Sequence, residues 1–282
     1  MTSCIFKVQL LFKFLNSFYQ ISNTSPFKSV IQSFWQVNYM PVFHTENILP
    51  KGVVEIIFNF SGEEKISAVL DGNHYSVSKC FINGFNTAPI QIQLPGQQEF
   101  FGVGLQPLAL KKILRTPAAE FSNTIIDLIL VDAGFLTLWN QLAEECLFEN
   151  RVVIFLEWLK KRMIAIQSRE ELINDFLCST NKYDLRVPEL ANTLCYSPRQ
   201  LSRKIFEATG MNTEDILMYK KYLHAVHLIH HTNLSLTEIG YHCNFSDQSH
   251  FIKSFKNYTQ LTPGEYKRTK SLLKGHIYNN VR

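Results

Sequence analysis

Four polar side chains in the segment 185–209, LRVPELANTLCYSPRQLSRKIFEAT, could bind a charged or polar surface. Arg199, Ser202, Arg203 and Lys204 all lie off the apolar face that a helix over this segment would form. An Arg guanidinium can donate to two acceptors at once, and a Lys ammonium acts as a point charge toward an anion. Taken singly, such charges on a helix are usually only solvated. Their interpretation therefore depends on the elements that position them.

These side chains stand in the second helix of a predicted helix-turn-helix. Residues 188–194 have the amphipathic pattern of a short helix, and a two-residue turn follows. Ser197 has the properties of an N-cap, and Gln200 stands where it would complete a capping box. Pro198 fits the first helical position, because its missing N–H would have no partner there. The apolar face of this second helix is expected to comprise Leu201, Ile205 and Phe206.

The same pattern occurs a second time, 49 residues further along the chain, if Ser197 is matched with Ser246. Ser235 and Glu238 predict another capping box, and a turn at 243–245 follows. Ser246 is expected to cap the next helix. The side chains of that helix left for solvent or a ligand are Gln248, Ser249, His250, Lys253 and Lys256. Residues 214–231 between the copies are typical of one long helix that holds the two units at a fixed separation.

The segment 185–268 resembles the DNA-binding domain of the AraC/XylS family of bacterial regulators. The matching residues are Ala191, Ser197, Leu201, Arg203, Phe206, Gly210, Ala225, Leu228, Ile239, Phe245, Ser246, Asp247, Phe251, Phe255, Lys256, Thr262, Pro263, Tyr266, Lys267 and Arg268. The resemblance implies seven helices with two helix-turn-helix units. It also implies that their recognition helices enter successive major grooves on one face of the duplex, about one turn apart.

The resemblance also implies a role for individual residues. Bases would be read by Arg199, Ser202 and Arg203 in the first unit, and by Gln248, Ser249, His250 and Lys253 in the second. Such readout is physically reasonable, because Arg can bind guanine and Gln can bind adenine through two hydrogen bonds. Phosphates would be contacted by Lys204, Lys256, Lys267 and Arg268.

Four residues depart from the family pattern: Lys221, Gly240, Asn244 and Gln260. A left-handed Gln260 would cost about 1 kcal/mol. The second unit is therefore expected to be looser than the first, and the first to dominate specific recognition.

The N-terminal part has a different pattern, of short strands separated by turn residues. The clearest strand is the run of β-branched and aromatic residues at 53–60, and others are predicted at 31–37, 79–85, 90–94 and 100–105. Strands at this spacing indicate a small antiparallel β-barrel or sandwich.

The same region resembles a sensory-type domain found ahead of some AraC-family regulators. The residues that carry this likeness are Phe34-Trp35, Ile48-Leu49-Pro50-x-Gly52, Glu55-Ile56-Ile57-Phe58, Asn83-Gly84-Phe85-x-Thr87 and Gly102-Val103-Gly104-Leu105-x-Pro107. Such a domain binds a small effector, promotes dimerisation, or both. Aromatic residues that could line an effector pocket, or simply form core, are Trp35, Phe58, Phe60, Phe85 and Phe101.

The whole chain is therefore predicted to be α+β, with a β-barrel or sandwich, a helical linker and an all-α double helix-turn-helix domain. Amphipathic helices are expected at 108–114, 118–131, 136–148 and 152–166. The predicted divisions are an uncertain start at 1–28, a sensory domain at 29–115, a linker or dimerisation region at 116–170, a DNA-binding domain at 171–272 and a tail at 273–282.

Charge and composition agree with a DNA-binding regulator and with no other class in particular. The net charge is +4, and residues 171–282 hold all of the excess, with 14 basic against 10 acidic side chains. Six scattered cysteines favour free thiols in the cytoplasm, and no stretch is apolar enough for a membrane span. No phosphate loop, nucleophile elbow or dinucleotide fingerprint is present, so neither an enzyme nor a cofactor is expected.

Partners expected for such a regulator are double-stranded DNA, RNA polymerase, a small effector and a second copy of the chain; an activator is favoured over a repressor. Two alternatives stay open. A nonspecific or architectural DNA binder would bind all duplexes similarly. An alkyl-transfer enzyme with a DNA-binding tail would need a reactive thiol such as Cys80. The pair His227 and His231 has a spacing that can hold zinc, but solvent-facing histidines are the simpler interpretation.

Overall fold

The strands of the N-terminal part form two antiparallel sheets in this computed structural model. The described residues are 17–39, 45–62, 66–77, 79–94, 96–163, 168–179, 185–271 and 273–279. The predicted uncertain segment 1–28 therefore lies largely outside the described residues.

Eleven strands are present in the part of the chain that the structure describes. They are β1 (Ser17–Gln20), β2 (Ile31–Tyr39), β3 (Thr45–Ile48), β4 (Val54–Asn59), β5 (Ile66–Leu70), β6 (Asn73–Val77), β7 (Cys80–Asn83), β8 (Ile90–Gln93), β9 (Gln98–Leu105), β10 (Ile125–Asp127) and β11 (His276–Asn279). The first sheet has the order β1-β2-β9-β4-β7-β10, and the second has the order β11-β3-β8-β5-β6. The fold is thus a sandwich and not a closed barrel.

The helices follow the sheets in the chain. They are α1 (Ala109–Ile113), a 3-10 turn (Ala118–Phe121), α2 (Leu128–Val131), α3 (Gly134–Ala143), α4 (Phe148–Arg162), α5 (Ser168–Cys178), α6 (Val187–Thr193), α7 (Pro198–Thr209), α8 (Thr213–His231), α9 (Leu236–His242), α10 (Gln248–Thr259) and α11 (Pro263–Thr269). The predicted α+β class, with a helical linker and two helix-turn-helix units, is confirmed.

Alternation along the strands of the first sheet creates two separate cores. One face carries Phe34, Phe58 and Phe101, all fully buried, and Phe155 of α4 packs edge-on against Phe34 and Phe58. This large core continues into the helix-turn-helix region. The opposite face meets the second sheet in a smaller core that includes Phe81 and Phe100.

The prediction of one continuous helix at 118–131 is wrong. The structure has a 3-10 turn there, then strand β10, which pairs with β7, and then the short helix α2. Asn123 interrupts the helix because it adopts a left-handed φ of 52°. Its Oδ1 accepts hydrogen bonds from the backbone N (2.8 Å) and the Oγ1 (3.1 Å) of Thr87. Thr87 and Asn123 are 36 residues apart, so the local sequence pattern could not predict this contact.

The described part of the predicted tail at 273–282 is not a separate segment, because it joins a sheet. Within its described residues, β11 pairs antiparallel with β3, in the register His276↔Ile48 to Asn279↔Thr45. The strand therefore belongs to the second sheet of the N-terminal sandwich, although it follows the last helix of the helix-turn-helix region. Gly275 O also accepts a hydrogen bond from Leu49 N at 2.7 Å.

Side-chain hydrogen bonds also join α8 to the sandwich. The hydroxyl of Tyr219 donates to Asn86 O, and that of Tyr222 donates to Pro50 O, both at 3.0 Å in buried positions. These bonds satisfy polar groups that burial would otherwise leave unpaired. They attach the long helix between the two helix-turn-helix units to the N-terminal part.

Candidate nucleic-acid interface

The first helix-turn-helix is formed by α6 and α7, and its turn and cap follow the sequence. Cys195 has a left-handed φ of 58°, which reverses the chain between the helices. Ser197 Oγ accepts from the backbone N of Gln200 at 3.3 Å, and Gln200 Oε1 accepts from Ser197 N at 3.2 Å. The capping box predicted at these residues is confirmed. The helix ends at Gly210, whose φ of 73° suits a residue without a side chain.

One face of α7 presents the three side chains that the sequence assigned to base reading. Arg199, Ser202 and Arg203 are all exposed, and the Arg203 side chain is 70% exposed. Their spacing of three and four residues places them on the same side of the helix. Leu201 and Ile205, on the opposite side, are fully buried. The arrangement suits insertion into a groove, while the base-reading role stays a prediction.

Phe206 lies on this exposed face and not in the core, so its predicted inward position is wrong. It is 55% exposed, whereas Ile205 is fully buried. Phe206 is seven residues after Arg199, two helical turns, and therefore stands on the same face. When the two units are aligned on their N-caps, Ile205 and not Phe206 matches the buried Phe255 of the second unit. The spacing of seven residues between Arg199 and Phe206 could have predicted from the sequence that both lie on the exposed face.

Lys204 stands at the edge of α7 and belongs to an ion cluster with the N-terminal part. Its Nζ lies 3.0 Å from Glu170 Oε1, and Lys112 Nζ lies 2.8 Å from Glu170 Oε2. Burial alone would raise the pKa of Glu170, but hydrogen bonds from the two lysines outweigh it and hold the pKa below its usual value. Next to this Glu170 cluster, Lys111 pairs with Glu207 of α7 at 2.9 Å. Lys204 is therefore engaged within the protein here, rather than directed at a phosphate.

The second helix-turn-helix is formed by α9 and α10, and its turn is one residue longer. Ser235 and Glu238 make the predicted capping box, with hydrogen bonds of 2.7 and 3.2 Å. Asn244 adopts a left-handed φ of 54° in the turn. The residue that caps α10 is Asp247, whose Oδ1 accepts from His250 N at 2.8 Å. The prediction of Ser246 as the cap is wrong by one residue, because both residue types can accept this bond and the pattern does not choose between them.

The face of α10 that points away from the core is polar and basic. Gln248, Ser249, Lys253 and Lys256 are exposed, and His250 is half-buried. The His250 Nδ1 lies 2.9 Å from Ser246 Oγ, so the turn fixes this ring at the start of the helix. The structure thus brings the predicted base-reading residues of the second unit together on one short surface.

The two phosphate-contact candidates of α11 differ in their surroundings. Lys267 is half-buried, and its Nζ donates to Leu234 O at 2.9 Å, where it supports the start of α9. Arg268 is exposed at the end of the helix. Arg268 is therefore the better placed of the two for a phosphate.

Three histidines of α8 have pKa values below the ordinary value. Burial lowers the pKa values of His224 and His227, and it lowers that of His230 to about 4. His230 Nε2 also lies 2.6 Å from the Tyr266 hydroxyl. The surroundings of these three rings therefore favour the neutral imidazole. Among the described residues, no group of side chains is arranged to hold a metal ion.

Cys80 is not a reactive thiol. It is fully buried in the large core, and this burial raises its pKa well above the ordinary value, with the nearby Asp127 raising it further. A thiol that stays protonated and out of contact with water is a poor nucleophile. The alkyl-transfer alternative therefore loses Cys80 as its candidate thiol.

A cavity of about 260 Å³ lies between the two sheets, and we call it the sandwich cavity. Its walls are mainly apolar and include Trp35, Val37, Ile57, Phe81, Ile90 and Phe100. Gly102 makes room for the Trp35 ring, because a Cβ at this position would lie only 2.0 Å from the indole.

Of the five aromatic residues predicted for an effector pocket, only Trp35 lines this cavity. Phe58 and Phe101 face the large core, Phe60 packs on Trp139, and Phe85 packs on Tyr219 of α8. The cause is strand alternation: Ile57 and Phe100 point into the cavity, so their neighbours Phe58 and Phe101 must point away. Composition alone could not choose between the two faces of a sheet that is buried on both sides.

Three charged side chains, Glu46, Lys51 and Glu55, and the His276 ring line the sandwich cavity, and each has a partner. Burial raises the pKa of Glu55, but the nearby Lys51, at 2.9 Å, outweighs this and the pKa is lowered. The Trp35 Nε1 also donates to Glu55 at 3.0 Å. Glu46 pairs with His276 of β11. Gln98 differs: it is 3% exposed, and its Nε2 has no hydrogen-bond partner among the described residues.

Two family models match the chain. Residues 190–269 match a helix-turn-helix domain, and residues 19–127 match a domain of unknown function. No helix among the described residues is long and apolar enough to cross a membrane.

Curated relatives match a part of the chain. The HTH-type transcriptional activator RhaS of Escherichia coli O157:H7 is 32% identical over 79 residues, which is 28% of this chain and 28% of the relative. RhaS of Yersinia pestis (strain Pestoides F) is 28% identical over 153 residues, 51% of this chain and 49% of the relative. The chain thus spans half or less of the length of these relatives.

Solved structures of similar proteins include ToxT from Vibrio cholerae, at 14% identity and a TM-score of 0.48, covering 86% of this chain and 99% of that one. The C-terminal domain of the response regulator YesN from Fusobacterium nucleatum is 29% identical, with a TM-score of 0.31, covering 36% of this chain and 97% of that one. The matched model at 190–269, the RhaS relatives and the two capped units agree. Residues 190–269 of the chain are therefore similar to helix-turn-helix domains of the AraC type.

Proposed function

We propose that the chain is a sequence-specific DNA-binding transcription regulator that acts in the cytoplasm. The observation that carries the proposal is the pair of capped helices α7 and α10, each with an exposed polar face behind a left-handed turn. A helix that presents Arg, Gln and Lys in this way can reach base edges in a major groove. Excess positive charge in the same part of the chain favours association with DNA.

The proposed contacts fall into two groups. Bases are read by Arg199, Ser202 and Arg203 of α7, and by Gln248, Ser249, His250 and Lys253 of α10. Phosphates are contacted by Lys256 and Arg268, whose exposed positions near the same surface support this role. Lys204 and Lys267 could join them only by exchanging the partners that they have within the protein.

Selection of bound duplexes from a random pool, with the full chain, tests the proposal. A sequence-specific regulator enriches a site with two half-sites about ten base pairs apart. Arg203→Ala should then relax one half-site, with a loss of about 1–3 kcal/mol at the contacted base pair. Arg268→Ala is the matched control, because loss of a phosphate contact weakens binding equally at every position. A pool with no enriched sequence would support the nonspecific or architectural alternative instead.

Activation is the favoured direction of control, because the RhaS relatives are transcriptional activators. An activator contacts RNA polymerase, which is therefore proposed as a partner. A reporter promoter that carries the selected site tests this, and expression should rise with the chain present. A fall in expression would indicate a repressor.

A second copy of the chain is also proposed as a partner. Apolar side chains stand exposed on the linker helices, among them Leu130 at 86% and Val153 at 53%. Exposed apolar groups of this size favour a protein interface. Molar mass in solution tests the proposal: a dimer should revert to a monomer in Leu130→Asp, and a monomer in the unaltered chain would reject it.

A further inference from the structure

The sandwich cavity combines apolar walls with one unsatisfied polar group. Gln98 and Phe100 are two residues apart on β9 and therefore point to the same side of the sheet, where both line the cavity. The Gln98 side chain is almost completely buried, yet its Nε2 donates to no described residue. Buried donors are nearly always paired, so this N–H marks a position for an acceptor that none of the described residues supplies.

The charges around the cavity disfavour an anionic ligand. Of the two carboxylates of the wall, Glu55 already pairs with Lys51, and Glu46 is hydrogen-bonded to the His276 ring. A third negative charge would therefore meet two carboxylates in a poorly solvated space without a free cation on the described wall. An uncharged molecule avoids this penalty and still uses the apolar surface.

The C-terminal strand β11 forms part of the cavity wall. His276 and Tyr278 line the cavity, as does Leu273 just before the strand. In the described sheet β11 pairs only with β3, at the sheet edge, and a short connection links it to α11 of the second helix-turn-helix unit. The Tyr266 hydroxyl of α11 accepts from Gly275 N at 3.2 Å, which fixes that connection.

We propose that the sandwich cavity binds an uncharged, mainly apolar molecule through a hydrogen-bond acceptor on Gln98, and that this molecule stabilises β11 in its paired position. A ligand that touches the strand only when it is paired must favour the paired state. Because β11 continues from the helix-turn-helix region, occupation of the cavity holds that region against the sandwich. The consequence for gene control rests on the proposed function; binding in the cavity does not.

Prodan, an uncharged naphthalene with one ketone acceptor, is a suitable probe for the full chain. Binding should shift its emission to shorter wavelength and quench tryptophan fluorescence through Trp35. Gln98→Leu should weaken binding about fivefold, as expected for the loss of one hydrogen bond. Laurate, an anion of similar size, should compete at least tenfold less well than decanol does. Unchanged binding in Gln98→Leu, or equal competition by laurate and decanol, would overturn the proposed ligand class.

Hydrogen–deuterium exchange in the unaltered chain tests the role of β11. Saturating prodan should slow exchange of the amides at 276–279, and Tyr278→Ala should weaken prodan binding about tenfold. Tyr241→Ala is the matched control, because this tyrosine is 81% exposed and far along the chain from the cavity wall; it should bind prodan normally. Exchange that prodan does not change would overturn the coupling.

Binding to the selected duplex separates this proposal from the proposed function. A chain that binds prodan as described but enriches no duplex would contradict the regulator and leave the cavity site intact. A chain that binds its duplex but shows no prodan signal would contradict the cavity site alone.

Discussion

Phe206 shows how one side chain changes the interpretation of the recognition surface. The sequence placed it in the core, because an aromatic residue after an aliphatic one usually continues an apolar face. In the structure Ile205 fills that position, and Phe206 stands beside Arg199 and Arg203 on the exposed side of α7. A flat apolar group among polar base-reading candidates suits the methyl group of thymine, which is the apolar feature of the major groove.

We predict that Phe206 reads a thymine methyl group in the first half-site. Phe206→Ala should lower affinity for the selected duplex by about 1 kcal/mol, the amount expected for the loss of a small apolar contact. Replacing the contacted thymine with uracil should reduce the affinity of the unaltered chain by a similar amount and leave Phe206→Ala unaffected. Titrations of both proteins against both duplexes give the four affinities that are compared. Additive losses would show that Phe206 and the methyl group do not touch.

Turns and caps are the features that the sequence defined best at the scale of elements. The capping boxes at Ser197 and Ser235 depend only on residues three positions apart, so local pattern was enough to find them. The break at Asn123, the pairing of β11 and the choice of cavity-facing strand residues depend on contacts far apart in the chain. No window of neighbouring residues contains that information. The errors at Ser246 and Phe206 are different, because there the local pattern allowed more than one interpretation.

Gln260 is the clearest weak point among the elements. It ends α10 with a left-handed φ of 60°, whereas Gly210 occupies the matching position after α7 with a φ of 73°. A side chain in this conformation costs about 1 kcal/mol relative to glycine. Gln260 is exposed, so its removal disturbs no packing.

We therefore predict that Gln260→Gly raises the free energy of unfolding by about 0.5–1 kcal/mol, less than the full strain because glycine also gains freedom in the unfolded chain. Urea titration followed by circular dichroism measures the change. Gln200→Gly is the opposing control: it removes a capping-box partner from a regular helical position and should destabilise. A Gln260→Gly protein no more stable than the original would mean that the left-handed turn carries little strain.

The N-terminal and C-terminal parts of the molecule meet along one edge of the first recognition helix. Lys204 and Glu207 of α7 contact the Glu170 cluster and Lys111, while the face with Arg203 stays open. These contacts therefore do not cover the proposed base-reading residues; instead Glu170 of α5 keeps one cation, Lys204, from the proposed DNA surface. In this arrangement the strength of the nonspecific phosphate attraction depends on an ion pair within the protein.

We predict that Glu170→Gln frees Lys204 from its shorter ion pair, leaving only the 3.6 Å contact with Glu207, and strengthens DNA binding. If the freed Lys204 gains one phosphate contact, the plot of log K against log salt should steepen by about 0.9. Glu171→Gln changes the net charge equally but removes no partner of Lys204, so its slope should stay close to that of the unaltered chain. The double variant Glu170→Gln with Lys204→Gln should lose the gain. Equal slopes for Glu170→Gln and Glu171→Gln would show that charge alone, and not the release of Lys204, controls the affinity.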